Sequence, residues 1–411
     1  MSASAGADKC DRVRALIPVP IPVPAPAPVE TATSDDVFDS SVLHDLHLTV
    51  NAADLDSLRT HFGENTFYPA DLKWKQTTVR NVAIRSRGTG SRSGTKPGLY
   101  IDINRLTPGQ TFVGLKGLVL DNLLQDPAMM REALAMSIFA RMSLPAPRVA
   151  FYRLYLNDQY EGLYLLIENI DKPFLNRTFG RDDGYLFEHH LTQRFDGEYI
   201  GDDLSAYRSL FEARTNSGES DSALYEPIRA LFEAVNAPEE IKGRAELDAL
   251  LDLRQFVRLL AVEKVMMEMD GLAGRWGMHN FYLYRDKNAG VHSFVVWDRD
   301  RAFGEYLLWG SIFDGTADNR LAQRALGYGD LHDLFVQTAE DTANLMRNNG
   351  WLSSELERFW TLIREAAYAD THKPYSNEEI DGDIESLREM VRDRPDVVLR
   401  ETGAMRTGAN R

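Results

Sequence analysis

The segment from Phe281 to Asp300 constrains the fold more than any other part of the chain. Two apolar runs, Phe281–Arg285 and Val291–Val296, flank the turn Asp286-Lys287-Asn288-Ala289-Gly290. Such runs around a short glycine-containing turn predict an antiparallel hairpin. A hairpin brings its open ends together. Asn280, just before the first strand, therefore meets Asp298 of Trp297-Asp298-Arg299-Asp300, just after the second. Asp270 lies a short loop upstream, at the head of Asp270-Gly-Leu-Ala-Gly-Arg-Trp-Gly-Met-His279-Asn280. Two carboxylates and an amide gathered this way suit a divalent cation carrying phosphate. Mg²⁺ takes a few carboxylate oxygens and leaves its other positions to water and phosphate. Asp300 adds a further charged oxygen to the set.

A chain of 411 residues is long enough to bury a large core and to divide into two lobes. Its formal charge of −16, from 46 basic and 62 acidic residues, argues against a general nucleic-acid binder. Against that background Arg80, Arg85, Arg87, Arg92 and Lys96 form a run with no acid among them, which points to a bound anion such as a polyphosphate. The single cysteine, Cys10, excludes an intrachain disulfide framework and a multi-cysteine metal site. No apolar stretch approaches the roughly 20 residues of a spanning helix. Met1–Asp11 is small and polar and does not read as a signal peptide. As written the chain reads as cytoplasmic. A cell-envelope or secreted location would need a signal upstream of Met1.

Residues 1–34 read as a tail in which Pro18, Pro20, Pro22, Pro24, Pro26 and Pro28 alternate with aliphatic residues, a polyproline II spacer. Residues 35–170 read as a β-rich lobe whose folded part starts near Val42. It contains a strand over His44–Val50, a helix capped by Asn51, strands at Val79–Arg85, Leu99–Ile103 and Gly114–Leu120, and a hairpin from Arg148 to Glu168. Proline at the first position predicts a helix running from Asp126 to Met142. Residues 171–395 read as mostly helical, with helices over Ser222–Val235, Arg254–Met269, Leu352–Tyr368 and Glu378–Arg392, and 396–411 as a tail. The polar stretch Gly180–Ser220 reads as a substrate-facing insertion.

Several side chains then ask for a role. Gly88, Gly90 and Gly94 let backbone amides approach an anion, with Ser91 and Ser93 as extra donors; the bland alternative is a solvated basic turn. Lys96 is the candidate for direct phosphate contact. Glu132 is either ordinary helical surface charge or the partner that orients Lys96 through an ion pair. Glu168, at a strand end, is either a loop acid or an acceptor for a flat base between the lobes. Asp270 closes the helix Arg254–Met269, where a carboxylate opposes the macrodipole. It is an acid ending a helix before glycine or the group that receives a substrate hydroxyl proton. His279 reads as a structural histidine, and no zinc or Ser-His-Asp signature is present.

With these residues in view, the chain resembles the CotH family of spore-coat-type atypical kinases over roughly residues 78–305. The resemblance rests on Ile84-Arg85-Ser-Arg-Gly88, Thr95-Lys96-Pro97, Leu120-Asp121-Asn122 with Asp126 and Arg131, and Tyr160-Glu-Gly162-Leu-Tyr164 with Glu168. It continues through His279-Asn280-Phe-Tyr-Leu-Tyr284 and Trp297-Asp298-Arg-Asp300 with Gly304. It implies an α+β, two-lobed atypical protein-kinase-like fold with a β-rich N-terminal lobe and a mostly helical C-terminal lobe. It also implies transfer of the ATP γ-phosphoryl group, with Mg²⁺ or Mn²⁺, to Ser or Thr of a protein. Asp270 would then be catalytic. Asn280, Asp298 and Asp300 would hold metal, and Arg85, Gly88, Ser91, Lys96, Glu132 and Glu168 would bind the nucleotide. The chain departs from ordinary kinases in three ways. Nine residues separate Asp270 from Asn280, Asp-Arg-Asp replaces D-F-G, and Lys116 competes with Lys96 for the strand-lysine role. Two alternatives remain open: a non-catalytic coat or surface binding protein, and a metal-dependent glycosyltransferase using Asp298-Arg-Asp300.

Overall fold

The computed structural model describes residues 32–304 and 308–406, so the polyproline run and Cys10 lie outside the described residues. The elements in chain order begin with α1 (Ser34–Val37), β1 (His44–Val50), α2 (Ala52–Thr60), β2 (Tyr68–Trp74), β3 (Thr77–Arg87), β4 (Gly98–Asp102) and β5 (Gly117–Asp121). Then come α3 (Arg131–Arg141), β6 (Val149–Leu156), β7 (Gln159–Glu168), α4 (Lys172–Phe179), β8 (Tyr185–His189), α5 (Leu204–Leu210) and β9 (Phe211–Ala213). The chain continues with α6 (Asp221–Asn236), α7 (Arg244–Leu250), α8 (Leu253–Val265), β10 (Phe281–Arg285) and β11 (His292–Val296). It closes with α9 (Arg320–Leu326), α10 (Gly329–Arg347), α11 (Trp351–Ala369) and α12 (Asn377–Arg406).

The mixed α+β expectation holds. The first seven strands close a barrel in the order β1-β2-β3-β4-β5-β7-β6, and parallel pairing of β1 with β6 seals it. Alternate residues fill the interior, among them Leu46, Leu48, Leu72, Ile84, Ile101 and Leu120. Strands β6 and β7 are apolar on both faces because both are covered. Ala150, Tyr152, Tyr164 and Leu166 point into the barrel, whereas Phe151, Leu163, Leu165 and Ile167 join the core of the helical half. Phe151 meets Phe359 of α11 edge-on at 5.3 Å. A second, antiparallel sheet, ordered β11-β10-β8-β9, carries the expected hairpin with Phe281 opposite Val296. Among the described residues no helix is long and apolar enough to cross a membrane.

Four local expectations are corrected. Helix α3 starts at Arg131, not at Asp126, because the Asp126 carboxylate accepts the Arg131 amide at 2.7 Å and Met129 takes φ +57°. Helix α8 ends at Val265, not at Met269. Met267 turns to φ +58°, and Arg394 of α12 takes the carbonyls of Lys264 and Val265 at 3.0 and 3.1 Å. Helix α12 runs through the expected tail to Arg406, past Pro395, because Val391, Arg394, Val398 and Thr402 bury one face. The polar stretch Gly180–Ser220 is no free insertion either. It supplies β8 and β9, which extend the hairpin's sheet.

Candidate functional site

Asn280 and Asp298 sit at the adjoining open ends of β10 and β11, where the Trp297 amide donates to the Asn280 carbonyl at 3.1 Å. Both residues take φ +54°, the left-handed region that Asn and Asp enter more readily than most residues. Each thereby turns out of its strand at the same edge. Asp270 joins them through its side chain. His279 Nδ1 lies 2.8 Å from Asp270 Oδ1, and Asn280 Nδ2 donates to Asp270 Oδ2 and to its carbonyl at 3.1 Å each. The Asn280 amide nitrogen is thus occupied, which leaves its oxygen as the group for a cation. Because α8 ends five residues earlier, the macrodipole argument for Asp270 falls.

Arg299, the middle residue of Asp-Arg-Asp, holds this geometry from below. It is fully buried and pairs with buried Glu263 of α8. Its Nη1 donates to the carbonyls of Asn280 at 2.9 Å and Asp298 at 3.0 Å, and also to that of Trp297. Glu263 in turn accepts the Leu272 amide at 2.8 Å, beside Asp270. A Cβ on Gly271 would meet Glu263 Oε2 at 2.5 Å, so glycine is what lets the loop lie this close.

Asp298, Asp300 and Glu132 gather with Asp121 at the end of β5. Burial raises the pKa of all three of the first group, and mutual repulsion adds to it. Asp121 and Asp270 act on Asp298; Asp298, Asp121, Glu132 and Glu268 act on Asp300; Asp298 and Asp121 act on Glu132. Arg87 opposes this at Glu132 and Asp298, standing 3.3 Å from Asp121 and 5.7 Å over the Trp297 ring. Asp121 and Arg87 carried no assigned role in the sequence. Both fall within the motifs quoted above, but nothing in a strand-end acid or in one cation of five distinguishes it.

The basic loop folds differently from the expectation. Lys96 pairs with Asp370, not with Glu132. Its ammonium lies 2.7 Å from Asp370 Oδ2 and 2.8 Å from the Leu163 carbonyl, with no exposure at all. Arg92 is bonded to the carbonyls of Gly88, Phe62 and Glu64 at 2.7–3.0 Å, and Arg85 stacks on Phe67 and Tyr100. Gly88 takes φ +105°, and a Cβ there would lie 2.5 Å from Ser91 Oγ, so the turn requires glycine. The Ser91 carbonyl accepts from buried Asn122. Lys116 is exposed. Glu168 takes neither expected role: it is buried between Arg148 and Arg177, at 2.7 and 2.6 Å. The structure thus brings together Asp270, Asn280, Asp298, Asp300 and Glu132, and ties Lys96, Arg85 and Glu168 into other contacts.

Glu268 lies under the same loop and accepts the Asp270 amide at 2.7 Å. Burial, helped by Glu263 and Asp270, pushes its pKa up to about 8 from an ordinary 4.5. The folded state therefore holds a proton that the unfolded chain has released. This contribution is full below pH 4.5 and is lost as pH rises through about 8. Glu268→Gln should remove that loss. Thermal midpoints of the two proteins should converge at low pH and separate toward pH 8, the variant melting higher. A pH-independent difference would contradict it.

The family model described as CotH kinase protein matches residues 84–398, and the chain belongs to that family. It is 22% identical over 359 residues to the inner spore coat protein H of Bacillus subtilis (strain 168), covering 84% of this chain and 94% of the relative. It is 24% identical over 275 residues to invasin CotH3 of Rhizopus delemar, covering 65% of this chain and 43% of the relative. Among solved structures, the proinflammatory kinase CtkA of Helicobacter pylori aligns with 75% of this chain and 95% of its own, with a TM-score of 0.30 and 10% identity.

Proposed function

We propose that the chain is a two-lobed, kinase-like phosphotransferase that moves the γ-phosphoryl group of ATP to a Ser or Thr hydroxyl of a protein, with Mg²⁺ or Mn²⁺. The observation that carries the reading is the meeting of Asp270, Asn280 and Asp298 at the open end of one hairpin. Membership in the CotH kinase family supports it.

The donor set fits a hard divalent cation. It consists of carboxylate and amide oxygens, and buried Glu132 Oε1 has no hydrogen-bond partner among the described residues. Asp298, Asp300 and Asn280 would hold the ion, which when bound neutralises phosphate charge. Asp270 would orient the acceptor hydroxyl and take its proton, with His279 and Asn280 fixing its carboxylate. Arg87 would face the phosphate. Such a site works by positioning and by stabilising charge.

Incubating the purified protein with labelled ATP, Mn²⁺ or Mg²⁺ and a generic protein acceptor tests the reading. Wild type should label the acceptor, and Asp298→Ala should lose at least about a hundredfold in rate. No label from wild type, or equal labelling by Asp298→Ala, would refute it. A coat or surface binding role is the second reading, favoured by the names of the relatives and by a Lys96 turned toward Asp370. That role would survive Asp298→Ala intact.

A further inference from the structure

Asp383, Arg394 and Glu401 stand on one line of α12. Asp383 to Arg394 is 11 residues and Arg394 to Glu401 is 7, close to three and two turns of a helix with about 3.6 residues per turn. That line meets the frame of the site at both ends. At the near end the Asp383 carboxylate pairs with Arg131, the first residue of α3. Arg131 also pairs with buried Asp126 at 2.7 Å, and the next residue is Glu132, buried beside Asp298. At the far end Arg394 is 1% exposed. Its guanidinium donates to the carbonyls of Lys264 and Val265, where α8 ends before Asp270, at 3.0 and 3.1 Å. It also donates to those of Leu308 and Gly310 at 3.0 and 2.7 Å. Glu401 accepts from the Ser311 hydroxyl, and from the Ile312 amide at 3.1 Å.

The approach to α12 continues the pattern. Asp370 holds Lys96, and the Tyr375 hydroxyl donates to the Leu124 carbonyl, just before Asp126. One C-terminal stretch therefore touches the barrel, the start of α3, the end of α8 and the segment that follows Asp300. The apolar side of α12, with Ile380, Ile384, Leu387, Val391 and Val398, buries area, but that attraction is non-directional. The polar line fixes where the helix sits. Arg394 shows the cost of the arrangement, because a buried guanidinium is expensive to desolvate and here meets carbonyls. An apolar residue would bury as well without that cost. What the arginine adds is a fixed distance between the end of α8 and residues 308–310.

We propose that α12 is a strap that positions the catalytic set, with Asp383 and Glu401 as positioning residues that act through Arg131 and through residues 311–312. The proposal rests on the kinase reading for what is positioned, but its first test requires no phosphate transfer. Asp383 and Glu401 lie 18 residues apart, about 27 Å along a helix, so loosening one end should reach the other. Hydrogen–deuterium exchange on the full chain reads this. Asp383→Ala should speed exchange of the α3 amides beside it and also of residues 310–312. Glu401→Ala should speed exchange of residues 310–312 and also of α3. Strand β2 is the internal reference and should not change. Changes confined to the mutated end, or shared by β2, overturn the proposal.

Activity supplies the second arm. Well below the melting midpoint, Asp383→Ala should lower kcat at saturating ATP at least about tenfold, because a small misplacement of reacting groups costs that much or more. Asp126 still holds Arg131, so the variant should melt close to wild type. Asp383→Glu, whose carboxylate still reaches the guanidinium, should recover most of the lost rate. A wild-type kcat in Asp383→Ala, no recovery in Asp383→Glu, or a large fall in the Asp383→Ala midpoint overturns the proposal. The two readings fail separately. Exchange that travels along α12 in a protein that labels no acceptor defeats the kinase reading alone, and changes confined to one end in an active kinase defeat the strap alone.

Discussion

Arg299→Ala is expected to destabilise the fold by about 3–5 kcal/mol, the cost of leaving one partner of a buried ion pair uncompensated. Glu263 is 1% exposed and keeps only the Leu272 amide once the guanidinium is gone. The loss reaches further than the pair. The carbonyls of Trp297 and Asp298 also lose the guanidinium, and that of Asn280 keeps only the Trp297 amide; these are the backbone groups that hold Asn280 and Asp298 at one edge. Arg299→Lys should rescue little, because an ammonium cannot present the guanidinium's fixed fork to a carboxylate and several carbonyls together. Denaturant unfolding measures the effect. A loss below about 1 kcal/mol for Arg299→Ala would show that the hub contributes little to stability.

The second large effect is at the buried contact between barrel and helices. Asp370, after α11, accepts the Leu163 amide at 3.0 Å and the His372 and Lys373 amides at 2.9 and 3.1 Å, besides the Lys96 ammonium at 2.7 Å. Asp370→Ala leaves buried Lys96 with the Leu163 carbonyl and the face of Tyr164, and should cost about 3–5 kcal/mol. Lys96→Met should cost less, because Asp370 keeps its backbone donors. That asymmetry is the diagnostic, and equal losses from the two substitutions would contradict it. Gly162→Ala attacks the same contact from β7. Gly162 takes φ +144°, and a Cβ there would lie 2.4 Å from Asp370 Oδ2, so alanine adds backbone strain of about 1–3 kcal/mol to a steric clash with the carboxylate. Two of the quoted motifs, Thr95-Lys96-Pro97 and Tyr160-Glu-Gly162-Leu-Tyr164, thereby acquire a structural meaning. Tyr164 hydroxyl donates to the Pro97 carbonyl at 3.1 Å and Tyr160 to that of Ala366 at 2.8 Å.

The hairpin from Phe281 to Val296 was legible because its pattern is local: alternating apolar runs, a short turn and side chains at fixed offsets. The same holds for β6 and β7 and for the Asn51 cap, whose side chain accepts the Ala53 amide at 2.9 Å. The boundaries that shifted depend on something else. Helix α8 stops where Arg394, remote in sequence, takes its last carbonyls, and α3 begins late because a side chain five residues away captures its first amide.

The site divides in the same way. By itself the sequence determined that Asn280 and Asp298 adjoin, since pairing two strands around a short turn leaves their ends no other arrangement. Only the tertiary structure decided that Lys96 answers to Asp370, that Glu168 sits between two arginines, and that Glu132 is buried beside Asp121 and Asp298 with its Oε1 lacking a hydrogen-bond partner among the described residues. Spacing along the chain reports strand register and helix faces. The partner of a buried charge is whichever opposite charge the packed elements bring near it, and that is settled by contacts between residues far apart in sequence.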